Sequence, residues 1–318
     1  FDVGRNFCNK LWNAARFALM NLEGASFEKR DVATLPLEDR WVLSRLTACT
    51  EEVEKQLELY NPSAAVSAAR EFFWTELCDW YLESIKPRLA ASGDSARAAQ
   101  QVLATALDQV LRLLHPMTPF ITEELWGALG EHAPVRGIDV PLETGDLITL
   151  AAWPSPRTEW RDEGLEGRFS LAQEIIRGAR NVRKEGGRPP REALDMLVRA
   201  EAETCAALEP LSGMMTHLAV LNSLEMSPTA ERTQDSAVVV IGEIEVYLPG
   251  LIDMVKERAR LGDQLAGLEK RLGGCRGKLS NENFIARANP EVVERERELE
   301  KELIGQIEAL KANLAALG

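Results

Sequence analysis

Four residues near the start of the chain, Asn6, Lys10, Asn13 and Phe17, follow one another at intervals of four, three and four. That spacing gathers side chains on one side of an α-helix. Two amides can read base edges, an ammonium can meet a phosphate and an aromatic ring can stack on a base, so the stripe has the chemistry of a single-stranded nucleic-acid contact. The alternative is a second packing edge inside a helix bundle, because Phe7, Leu11, Ala14, Ala18 and Leu22 already give the same helix an apolar flank.

Two basic stretches carry related chemistry. Between Glu174 and Arg191 stand six basic residues, Arg177, Arg180, Arg183, Lys184, Arg188 and Arg191, against two acidic ones, Glu174 and Glu185. Arg177, Arg180 and Lys184 have helical neighbour spacing, so they meet phosphates or form a solvated face. Further on, Lys270, Arg271, Arg276, Lys278 and Arg287 are opposed only by Glu282. No catalytic constellation accompanies them. His115, His132 and His217 lie far apart without metal-ligand spacing, which makes structural or exposed roles the expectation. "KEGGRPP" lacks the length and the Lys-Ser/Thr ending of a phosphate-binding loop. The cysteines, Cys8, Cys49, Cys78, Cys205 and Cys275, are odd in number and scattered, so reduced and mostly buried thiols are expected in place of disulfides or a zinc site.

Helices must position these residues. Up to about residue 130 the apolar spacing is helical throughout, and short Pro, Gly, Asn and Asp signals divide it into five helices. The third opens with Asn61 as cap and Pro62 at its first position and should stop at Pro87; the fourth should halt before Pro116. Thr118 should cap the fifth, with Pro119 in its first turn and Gly130 past its end. Residues 131–163, rich in Pro and Gly, read as a connector. From 164 to 250 a helix, a helical stretch over 201–218 and β-like runs ("LDMLVR", "AVVVI", "EIEVYL") indicate a small α+β module. Over 251–318 Leu261, Leu265, Leu268, Leu272, Cys275 and Leu279 alternate at spacings of four and three, and Leu303, Ile307, Leu310, Leu314 and Leu317 answer them. The break at "SNENFIARANP", where Asn289 caps and Pro290 restarts the helix, makes an antiparallel coiled-coil hairpin with arms about 40 Å long. Phe284 either stacks on a ligand at the tip or plugs the turn beside Ile285, and the plug is preferred. Gly262, Gly267, Gly273, Gly274 and Gly277 weaken the first arm by about 1 kcal/mol each relative to Ala.

The whole is a mainly α chain of 318 residues, 45% hydrophobic, with a formal net charge of −13. No apolar run approaches the roughly 20 residues of a membrane span and no signal peptide is visible, so a cytoplasmic protein without a membrane partner is expected. Acidic composition disfavours nucleic acid in general; the clustered basic residues reopen the question locally.

"RNFCNKLWNAARF", "EFFWTELCDWYLESIKP", "LLHPMTPFITEELW" and "KLSNENFIARANPEVVERE" together resemble the C-terminal portion of bacterial valyl-tRNA synthetases, a family of class I aminoacyl-tRNA synthetases. The likeness covers essentially the whole chain. The middle two motifs are shared with the isoleucine and leucine enzymes, whereas the first motif and the terminal hairpin point to valine. The resemblance implies a helical anticodon-binding domain over 1–130, the connector, an α+β junction module over 164–250 and a tRNA-binding arm over 251–318. It implies that Asn6, Lys10, Asn13 and Phe17 meet the anticodon, that Arg177, Arg180, Arg183, Lys184 and Arg188 meet the tRNA backbone, and that Lys270, Arg271, Arg276, Lys278 and Arg287 form the arm tip. The partner is then tRNA(Val), with no DNA, and the chain a monomer. No HxGH-type or KMSKS-type signature is present, so ATP and Mg belong to the parent ligase and this fragment alone should be inactive, with no cofactor and no metal of its own. The competing reading is a helical scaffold whose coiled coil recruits a protein partner.

Overall fold

The computed structural model describes residues 2–142, 144–251, 254–281 and 290–316, with backbone alone at 254–260, 290–291 and 312–316. Its Cα packing divides the chain into two compact units, Phe1–Arg177 with Ala206–Val220, and Gly178–Cys205 with Leu221–Gly318. The 131–163 stretch therefore groups with the bundle, and the sheet groups with the arm.

In the first unit, α1 (Asp2–Asn21) buries Phe7, Leu11, Ala15 and Ala18, and Leu22 just past its end is buried too; Ala15, and not Ala14, completes the apolar flank. Helix α2 spans Leu37–Glu58. The next rod, α3, begins in α geometry at Pro62–Glu71, passes through an eleven-residue π-helical stretch, Phe72–Leu82, and returns to α geometry at Glu83–Leu89. The Asn61 side chain accepts from the Ala64 N–H, as an N-cap should.

The expected stop at Pro87 is corrected, since the helix runs through it to Leu89. Pro87 has no N–H to offer the Glu83 carbonyl one turn back. That carbonyl accepts instead from Nε2 of His217 at 3.1 Å, which replaces the missing bond and gives this histidine a structural task.

Helix α4 (Asp94–Leu114) is the axis of the unit, with every residue from Gln101 to Leu114 buried. Its charges are compensated internally: fully buried Asp108 accepts from Arg112 and, at 2.7 Å, from Arg136, whose guanidinium lies over the Trp126 ring. Helix α5 (Pro119–His132) runs through Gly130, expected past its end, and the Thr118 hydroxyl donates back to the Leu114 carbonyl without capping.

Helix α6 (Glu163–Glu185) contributes residues to both units. The short helices α7 (Ala202–Leu208) and α8 (Ser212–Ala219) follow strand β1 (Leu194–Arg199) and precede β2 (Leu221–Met226), a strand the sequence pattern did not announce. The sheet order is β2-β1-β4-β3, with β1 parallel to β2 and antiparallel to β4. Strands β3 (Ala237–Ile241) and β4 (Ile244–Leu248) form a hairpin whose two-residue turn places Gly242 at φ 58°, the left-handed geometry such turns require. Gly178 of α6 lets the helix backbone close on the sheet, because a Cβ there would lie 2.8 Å from Val239 Cγ1.

Helices α9 (Met254–Leu279) and α10 (Pro290–Ala316) form the antiparallel hairpin. Leu261 and Cys275 of one arm and Val293, Leu303 and Ile307 of the other are buried, and Leu265, Leu268, Leu272, Leu279 and Leu310 are half-buried, which is the seam the heptads specify. The side chains of Leu314 and Leu317, the Asn289 cap and the Phe284 plug beside Ile285 lie outside the described residues.

Candidate nucleic-acid interface

Aromatic packing sets α1 against α3. Phe7 meets Phe73 edge to face at 5.7 Å between centroids and stacks on Trp74 at 6.5 Å. The two helices run in the same direction, since residues 7, 10 and 17 of α1 meet residues 73 and 74, 79, and 86 of α3 in that order.

The predicted stripe lies along this junction. Asn6 and Asn13 are exposed; Lys10 and Phe17 are half-buried. Lys10 Nζ sits 4.0 Å from the Trp74 ring centroid, donates to the Trp74 carbonyl at 3.2 Å and pairs with Asp79 at 2.7 Å. Phe17 carries the Lys86 ammonium 5.6 Å from its ring centroid, and Lys86 pairs with Glu83 at 2.6 Å. The stripe is therefore neither a buried packing edge nor a simple basic surface: two rings and two ammonium groups line a groove whose cations are neutralised by α3 carboxylates. Sequence reasoning missed Trp74 and Lys86 because nothing local in α1 indicates which helix packs beside it. It also missed Asn9, Trp12, Arg16 and Met20, all exposed on α1. Asn9 and Arg16 were legible, since each is three residues beyond Asn6 or Asn13.

On α6 the predicted basic residues divide. Arg177 is exposed, its guanidinium 5.1 Å from the Trp80 ring. It lines a cleft of about 490 Å³ with Trp41, Arg45, Glu76 and Glu166. Arg45 donates to both carboxylates, and its hydrogen bond to Glu76 holds its guanidinium above the ordinary arginine range. Arg180 and Lys184 are exposed. Arg183 requires correction: it is 3% exposed, burial and the neighbouring Arg180 charge lower its pKa, and its side chain is not a surface contact. Arg188 is exposed but donates to the Gly250 carbonyl at 2.8 Å and pairs with Glu192.

On the arm, Lys270 and Arg271 are exposed, while Arg276 reaches Glu300 at 2.8 Å and Lys278 reaches Glu296 at 2.6 Å, so the latter two tie the helices together. The Glu296 hydrogen bond raises the Lys278 pKa, and Lys278 in turn lowers that of Glu296. Arg287 lies outside the described residues.

The remaining chemistry is quiet. Among the described residues no group of three His, Cys, Asp or Glu side chains is arranged to hold a metal, and no helix is long and apolar enough to cross a membrane. Burial pushes the thiols of Cys49 and Cys78 up to about 12, which leaves neither as a thiolate at neutral pH. His115 Nδ1 is 2.8 Å from the Thr122 hydroxyl and His132 Nδ1 is 2.9 Å from the Ala128 carbonyl, both local structural contacts.

In this helical bundle residues 39–198 match the family model described as the anticodon-binding domain of tRNA ligase, and the chain belongs to that family. Residues 253–318 match a second model, the valyl tRNA synthetase tRNA binding arm. Along its length the chain is similar to the C-terminal portion of valine–tRNA ligases. It is 38% identical to that of Rhodopirellula baltica over 100% of this chain and 31% of the relative, and 37% identical to that of Prochlorococcus marinus over 100% and 34%. With the enzyme of Geobacter sulfurreducens the identity is 39% over 98% of this chain and 34% of the relative. The chain spans about a third of the length of the curated relatives it matches.

Proposed function

We propose that this chain is the tRNA-gripping portion of a cytoplasmic valine–tRNA ligase, that it acts as a monomer on tRNA(Val), and that the ATP- and Mg-dependent aminoacylation takes place on the remainder of the enzyme. The observation that supports it most is the α1–α3 groove, in which the half-buried Phe17 ring has the Lys86 ammonium 5.6 Å from its centroid and exposed Asn13 one turn back on the same helix. A base stacked on the ring, its edge toward the amides and its phosphate toward the ammonium, fits an anticodon loop. The exposed basic residues Arg180 and Lys184 support the tRNA backbone without reading sequence. The hairpin, whose exposed Lys270 and Arg271 lie past the middle of its first helix, meets the outer corner of the L-shaped molecule.

Filter binding of tRNA(Val) at two salt concentrations tests this reading. Phe17→Ala should weaken binding by about 1 to 3 kcal/mol while the fold is retained. Deleting residues 251–318 should lower the affinity for whole tRNA and leave that for an isolated anticodon stem-loop unchanged. Unaltered binding in both variants would instead favour a scaffold for a protein partner. The chain alone should give no valine-dependent ATP–pyrophosphate exchange, and measurable exchange would overturn the assignment of catalysis to the rest of the ligase.

A further inference from the structure

Each ammonium in the groove has the same two neighbours: an aromatic ring from one helix and a carboxylate from α3. Lys86 lies 5.6 Å from the Phe17 centroid and 2.6 Å from Glu83; Lys10 lies 4.0 Å from the Trp74 centroid and 2.7 Å from Asp79. Both carboxylates are roughly half exposed, at 45% for Glu83 and 52% for Asp79, and Lys86 is as open as its partner, whereas Lys10 is half-buried. A pair as exposed as Lys86–Glu83 contributes little to stability. The placement nevertheless puts one cation beside each ring and one acceptor on that cation, which is what a nucleotide presents in reverse.

A nucleotide offers a phosphate for the cation and, when its base is cytosine, adenine or guanine, an amino group for the acceptor. We propose that Glu83 and Asp79 are specificity-determining residues of the groove. In the free protein each occupies a lysine. On binding, the lysine turns to a phosphate and the released carboxylate accepts a hydrogen bond from the exocyclic amino group of the base at the ring. A ligand that brings both groups re-pairs both partners. A polyanion without amino-bearing bases takes the lysine and leaves an unpaired carboxylate facing its own negative charge, so it is rejected. This rests on the reading of the groove as the anticodon site and adds to it the class of base that is accepted there.

The test compares two ligands, tRNA(Val) transcript and heparin, on the wild-type chain, Glu83→Gln, Asp79→Asn and the double variant, each first shown to be folded by circular dichroism. Gln and Asn keep the shape and remove the charge. The proposal expects heparin to bind roughly two- to fivefold more tightly for each carboxylate removed. The steepness of log K against log salt should increase by about 0.7 for each lysine freed. The tRNA should gain less than heparin or lose affinity, so that the ratio of the two affinities falls. Equal gains for both ligands would mean that the carboxylates only set net charge, and unchanged affinities would mean that the pairs take no part; either outcome overturns the inference. Phe17→Ala, measured alongside, separates this from the broader reading: if it leaves tRNA binding intact, the groove is not the anticodon site at all.

Discussion

The bundle and the arm are written in the same alphabet of leucine, alanine, glutamate and arginine, yet they handle charge in opposite ways. In the bundle, α4 is enclosed on all sides, and Asp108, Arg112 and Arg136 are all buried around it. In the arm each helix has one partner, and the ion pairs Arg276–Glu300 and Lys278–Glu296 lie at the rim of the seam, with the two basic side chains more than half exposed. The difference is one of neighbours. A helix surrounded by others must bury whatever its sequence places on its far face, and a buried charge is tolerated only with a hydrogen-bonded counter-charge. A helix in a two-helix hairpin keeps a wet side, where charge is free to tie, to repel or to meet a ligand.

The contrast breaks most visibly at Asp108. Asp108→Ala leaves two guanidinium groups in the core without their carboxylate and should cost about 3 to 5 kcal/mol in urea unfolding, whereas Arg276→Ala in the arm should leave the unfolding midpoint of the bundle unchanged. A second comparison uses leucines that are equally buried, Leu103 in α4 and Leu303 in α10, each 1% exposed. Leu103→Ala should cost about 2 to 5 kcal/mol of global stability. Leu303→Ala should cost less, since a two-helix seam relaxes into the gap, and its faster amide exchange should be confined to residues 254–279 and 290–316.

The arm offers the next smaller effect. A Cβ at Gly267 or Gly273 would meet nothing within 4 Å, and both glycines sit inside a continuous helix. Gly267→Ala and Gly273→Ala should each stabilise the hairpin by about 1 kcal/mol, read as slower exchange in α9. Changes of this kind have no counterpart in α4, which contains no glycine.

The smallest effect concerns pH. Burial raises the Glu38 carboxyl above its ordinary value of 4.5, outweighing the backbone hydrogen bond and the nearby Arg88 charge that lower it. A carboxyl that is harder to ionise in the folded state favours the fold at pH below the unfolded value, and that contribution is lost as pH rises through the folded one. Glu38→Gln should therefore flatten this part of the stability profile just above pH 4.5 and make the protein slightly more stable at neutral pH, as thermal melts across pH would show.

Much of this architecture is settled by the sequence alone, because helix and strand periodicity is a local property. The leucine repeats of the hairpin, the Asn61 cap with Pro62, and the strands 194–199, 237–241 and 244–248 can all be read without knowing what they touch. So can the shared face of Asn6, Lys10, Asn13 and Phe17 on α1, which follows from their spacing alone. Tertiary structure decided everything that depends on a distant neighbour. Pro87 does not end its helix because His217 satisfies the carbonyl it strands, and Arg183 is inside although its spacing and charge place it with surface residues. Strand β2, in which Leu221 alone is buried, has too little alternation to announce itself and exists because β1 offers it an edge. The groove is the clearest case: Lys10 and Phe17 acquire Asp79, Trp74 and Lys86 across 64 to 69 residues of chain, and no local pattern encodes which helix will lie alongside. Spacing fixes which side chains share a face; only packing fixes which carboxylate and which ring that face will meet.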